Sequence, residues 1–138
     1  MITADKYAAQ MATQWLKIVN DCANLVNTTK KPDVFFKRYS LLYEKLNDLI
    51  KIERYVKFTG DKPSKILYDI NYRRPKTIND FILRYYNDVR NSISGLKTQN
   101  AKINKAEQFY TKLMHYSNSM GPDNIVQLTD LYEKLKAI

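Results

Sequence analysis

With one cysteine and one histidine in 138 residues, the chain has little material for metal or nucleophilic chemistry. Cys22 can close no internal disulfide, so nothing points to an oxidising compartment and a cytoplasmic location is expected. A zinc site would have to draw three or four ligands from His115, Cys22 and scattered carboxylates, and a Ser/His/Asp constellation could form only around His115. His115 is instead expected as a half-exposed residue near the end of a helix, and Cys22 as a small core filler. Only three glycines occur, each placed like a helix stop, which leaves no P-loop and no G-x-G-x-x-G turn to cradle a phosphate. The expectation is a non-enzyme with no catalytic residue, no metal and no cofactor. No window approaches the roughly eighteen apolar residues of a membrane helix. The start MITADKYAAQ lacks the basic and apolar regions of a signal peptide.

Acidic excess is also missing: 23 Lys and Arg stand against 14 Asp and Glu, a net charge of +9. This excludes a nucleic-acid mimic and favours anionic partners. The length suits one domain spanning residues 1–138, and the hydrophobic share of 44% is that of a chain that folds.

What the sequence does contain is helical periodicity, and the expectation is an all-α bundle of five to six helices. In residues 4–25, Ala4, Ala8, Met11, Trp15, Ile18, Cys22 and Leu25 follow alternating steps of four and three, with Ala12, Val19 and Val26 widening the stripe. Pro32 predicts the first turn of a second helix, with Asp33 at its positive end and Phe35, Tyr39, Leu42, Leu46 and Leu49 on one face. Gly60 and Pro63 predict a stop and a restart. Pro75 should end the short third helix, and Thr77 should cap a fourth that carries Ile78, Phe81, Ile82, Tyr85, Val89 and Leu96. A fifth helix is expected from about Asn100 to Ser117 and a sixth after MGPDN, with Ile125, Leu128, Leu131, Tyr132 and Leu135 inward. No segment alternates as a strand does.

Charge is uneven: residues 72–105 hold eight basic and two acidic residues. With the neighbouring tyrosines they make the candidate binding surface Arg73, Arg74, Lys76, Tyr72, Tyr86, Arg90, Lys97, Lys102 and Lys105. The geometry supports a nucleic-acid grip only in part. Arg84 and Arg90 differ by about 240° around a helix, and the clusters at the two helix ends lie roughly 30 Å apart. Asp80, Arg84 and Asp88 stand at i, i+4 and i+8, as in a surface ion-pair ladder. Tyr72 and Tyr86 are expected to be exposed, and Tyr39, Tyr85 and Tyr110 to lie on core stripes.

The runs VNTTKKPDVFFKRYSLLYEKL, KFTGDKPS, TINDFILRYYNDV and LKTQNAKINKAEQFYTKL resemble a helical module that recurs in hypothetical proteins of bacteria and their phages, often behind a zinc ribbon or another small segment. The resemblance covers about residues 16–135. It implies a helical domain with no assigned activity, so no functional residue is carried over from it. Similar sequences often have glycine where this chain has Ala101, which predicts an earlier start for the fifth helix. The chain begins almost at the module, without the upstream Cys-rich segment. The resulting expectation is a helical interaction module with a protein partner, in a phage or mobile-element setting. A basic nucleic-acid-binding domain is the alternative, and no membrane association is expected.

Overall fold

A computed structural model describes residues 4–55, 58 and 61–138; within the first helix, side chains are described only at residues 10, 13, 14, 16–21, 23, 24 and 26–28. The chain is all-α. Among the described residues there are five α-helices and no strand: α1 (Ala4–Thr28), α2 (Pro32–Ile52), α3 (Pro63–Ser94), α4 (Gln99–Met114) and α5 (Pro122–Lys136). Short 3-10 turns occupy Glu53–Tyr55 and Ser117–Ser119. Cα packing divides the chain into two units, Met1–Thr29 with Lys37–Arg73, and Lys30–Phe36 with Arg74–Ile138.

The first unit is built on Val19, Leu42, Leu46 and Leu49, with Ala23, Leu41, Ile52, Phe58, Ile66, Leu67 and Ile70 packed against them. The α2 stripe lies where periodicity places it, since Tyr39, Leu42, Leu46 and Leu49 are all buried. In α1, Val19 (1% exposed) and Val26 are buried, as the widened stripe expects, and Ala23 packs against the same cluster, whereas Ile18, expected on the seam, is 39% exposed. Positions 18 and 19 are 100° apart on a helix, and both are apolar and β-branched, so local pattern alone does not choose between them. The expected seam residues Ala4, Ala8, Met11, Trp15, Cys22 and Leu25 have side chains outside the described ones, as has Ala12, and Gly60 also lies outside the described residues.

The second unit has an aromatic core. Phe35 stacks on Phe81 with centroids 4.1 Å apart and planes at 7°; Phe81 stacks on Tyr85, and Tyr85 on Phe109 at 5.4 Å. This column joins the start of α2 to α3 and α4, each ring pair adding about 0.5–1.5 kcal/mol beyond its area burial. Ile78, Ile82, Ile93, Ala106, Leu113, Leu128, Leu131 and Leu135 complete the core. Phe36 and Phe109 are buried as well, although neither falls on the stripes drawn from the sequence. The helix α4 starts at Gln99, one residue before the expected Asn100, and Thr98 caps it by accepting from the Ala101 amide at 3.2 Å.

The main correction concerns Pro75. No boundary forms there: α3 runs unbroken for 32 residues with Pro75 inside it, and Thr77 is a mid-helix residue rather than a cap. A proline in a helix interior removes one N–H and crowds the carbonyl four residues back, at a cost of about 3 kcal/mol. Hydrogen bonds from neighbouring elements gather at this point. Asn124, 1% exposed in the first turn of α5, donates from Nδ2 to the Pro75 carbonyl at 2.9 Å and to Asn79 Oδ1 at 2.7 Å, and its Oδ1 accepts from the Gly121 amide at 2.9 Å. Gln127 donates to the Asn79 carbonyl, and Arg74 Nη2 to the Ser119 carbonyl at 2.7 Å. Asn124 thus closes the N-terminus of α5 and bridges it to the proline turn of α3.

This arrangement ranks two substitutions in urea denaturation. Asn124→Ala removes a buried amide and leaves three part-buried polar partners unmatched, and should cost about 1–3 kcal/mol. Thr77→Ala should cost less, because no helix terminus depends on it. The opposite ranking would restore a helix boundary at Pro75.

Candidate interaction surface

The nine residues singled out from the sequence do not form one surface. Tyr72 and Arg73 are exposed residues of the first unit. In the second unit Tyr86 is only 8% exposed and lies edge-on to Phe109 at 6.2 Å, so it is a core residue, contrary to the expected exposure. It lies one position beyond Tyr85, and the apolar arc of α3 is wide enough to take in both. Arg74 is half-buried and its guanidinium donates to the Ser119 carbonyl. Lys76 pairs with Asp80 at 3.0 Å. Asp80, expected in a ladder with Arg84 and Asp88, takes Lys76 as an ion-pair partner, and the Arg84 guanidinium lies over the Phe81 ring at 5.7 Å. Arg90, Lys97 and Lys105 are exposed, and Lys102 is half-buried in the first turn of α4.

The first unit carries a different feature. Tyr68 and Tyr72 are 69% and 80% exposed and stand at i and i+4 on α3, about 40° apart on one face. Lys65 and Asp69 pair beside them at 3.2 Å, and Arg73 follows. Tyr55 is also exposed, with the Arg54 guanidinium 5.0 Å from its ring centre.

Two polar contacts fix this part of α3. The Tyr43 hydroxyl on α2 donates to Asn71 Oδ1 at 2.6 Å, one residue before Tyr72. At the helix start, the Glu53 carboxylate accepts from the Ser64 amide at 2.9 Å and from the Ser64 hydroxyl at 2.8 Å, so a side chain from the preceding turn satisfies a terminal N–H. The Ser64 amide and then its hydroxyl hold the Glu53 carboxyl below the usual carboxylate range; burial opposes them in part, and the charge of Lys62 adds the smallest lowering.

Sequence reasoning found Tyr72 and missed Tyr68. The signal was present: Lys65, Asp69 and Arg73 surround both tyrosines on the helix surface, a polar setting that argues for exposure. Among the described residues, no group of three or more His, Cys, Asp or Glu could hold a metal ion, and no helix is long and apolar enough to cross a membrane. Compared with known protein families, curated proteins and solved structures, the chain matches none.

Glu53 gives a pH signature. Its carboxyl is lowered in the folded chain, so its contribution is complete above the unfolded-state value of 4.5 and disappears as pH falls through the lower folded value. Glu53→Gln keeps an acceptor and loses the charge. Melting curves should show a deficit of up to about 0.5 kcal/mol at pH 7, after solvent screening, that closes towards pH 3. A deficit that is constant across this range would mean the charge contributes nothing.

Proposed function

We propose that the chain is a non-enzymatic helical interaction module that docks an acidic protein surface through the α3 face bearing Tyr68 and Tyr72. The observation that carries this reading is the pair of tyrosines at i and i+4, both exposed by more than two thirds, on a helix segment anchored through Asn71 and Ser64. Single exposed apolar residues are ordinary, but tyrosine pairs on a rigid element supply large contact area with few rotamers to freeze. Arg73 beside them and the net charge of +9 favour a partner of opposite sign.

A nucleic-acid-binding domain is the second reading, favoured by the exposed Arg90, Lys97 and Lys105. Three residues of the basic surface drawn for it are otherwise engaged: Tyr86 in the core, Arg74 on Ser119 and Lys76 on Asp80.

The test is affinity capture from lysate of the encoding organism, with wild type beside the double variant Tyr68→Ala, Tyr72→Ala, at two salt concentrations. An acidic protein retained by wild type should bind the double variant at least about tenfold more weakly, and binding should fall with salt. Circular dichroism should be unchanged, because both side chains are solvated. Equal capture by both proteins would sink the reading. Binding of a labelled single-stranded oligonucleotide with a dissociation constant below about 1 μM at physiological salt would put the second in its place.

A further inference from the structure

The second unit contains a cleft of about 630 Å³ that the interaction face does not use. It lies between the entry to α2, the middle of α3 and the last turn of α4, within the size range of small-molecule sites. Tyr85 and Tyr116 are its aromatic walls, and both are braced from the core. The Tyr116 ring stacks on Phe36 at 4.5 Å with planes at 12°, and Tyr85 sits between Phe81 and Phe109 in the stacked column. His115 lies edge-on to Tyr116 at 4.9 Å. Lys31, Lys112 and Thr111 are also among the lining residues.

We propose that this cleft binds a small planar anion, an aromatic or heteroaromatic ring bearing a carboxylate or phosphate group, with Tyr85 and Tyr116 taking the ring and Lys31 and Lys112 the anionic group. Braced rings are the preorganised part: their orientation is fixed by core stacking before any ligand arrives, so little side-chain entropy is lost on binding. The one carboxylate in the lining, Asp33, stands in the first turn of α2, where the helix dipole offsets part of its charge. Burial first, and the Asp33 charge second, push the Tyr85 phenol above its ordinary range, so its hydroxyl stays protonated and can donate to an anion at any physiological pH. The lining holds two lysines against one aspartate, which selects against a cationic ligand.

This proposal is independent of the Tyr68–Tyr72 face, since none of its residues belongs to the first unit. The test is an amide NMR titration of the whole chain with three probes: adenosine 5′-monophosphate, 2-naphthoate and uncharged adenosine. Expected is saturable binding of at least one anionic probe, with a dissociation constant below about 1 mM and shifts gathered at residues 31–33, 85 and 111–116. Which anion binds tells phosphate from carboxylate as the preferred group. Lys112→Ala, an exposed change that leaves the fold intact, should weaken that binding at least about fivefold. Adenosine binding as tightly as its monophosphate, shifts gathered elsewhere, or no saturation by either anion would each overturn the proposal.

Discussion

Asn124 is the side chain on which the second unit turns. A proline in the middle of a long helix is a standing cost, and beside it the chain buries an amide that makes three hydrogen bonds at once: two as donor to Pro75 and Asn79, one as acceptor from Gly121. Each bond alone contributes about 1 kcal/mol net, but in a buried site the larger quantity is the penalty for leaving such groups unmatched. The same residue therefore closes the start of α5 and ties it to the proline turn of α3. Gly121, at the N-cap of α5, has no side chain with which to cap, so the reciprocal half of a capping box falls to Asn124 alone.

Around this polar bridge the packing is aromatic in one unit and aliphatic in the other. The first unit relies on leucines from α2 at helical spacing, each worth about 1.5–3 kcal/mol on burial. The second relies on the ring column from Phe35 to Phe109 and on the paired helices α4 and α5, which share the Tyr110–Tyr132 contact at 4.4 Å. Stacked rings leave few alternative packings. They also brace Tyr85 and Tyr116 at the cleft, where core packing passes directly into surface geometry.

Much of the fold was legible in the sequence because amphipathic periodicity is a local property. The α2 stripe, the start of α2 at Pro32, the restart at Pro63 and the end of α3 near Gly95 all follow from residues a few positions apart. Pro75 was misread for the opposite reason. The groups bonded to Arg74 and to the Pro75 carbonyl lie 45 and 49 residues away, in Ser119 and Asn124, beyond the reach of a local pattern. The side of α1 that faces inward was likewise settled by tertiary packing, since Ile18 and Val19 are equally apolar. For the binding surface the sequence identified Tyr72 but placed Tyr86 outside, because a stripe of average width does not predict an apolar arc that spans adjacent residues. Of the cleft, Pro32, Asp33, Tyr85 and His115 carry signals of their own in the sequence, each for another reason, and the cleft itself is not legible because its lining is gathered from three separate stretches of the chain.

The aromatic column also has a topological meaning. Phe35 and Phe36 belong to the short piece Lys30–Phe36, which the second unit takes from the head of α2 while the rest of that helix serves the first. Each unit is thus discontinuous along the chain, and no single cut yields both intact: a fragment that starts at Arg74 begins life without the ring that stacks on Phe81. During synthesis, Phe35 leaves the ribosome well before its partner and must wait for it, so the second core closes by a long-range encounter and not by local zippering. The two units are interleaved in sequence, so truncation or domain shuffling at the middle of α3 separates Phe35 from the core that follows.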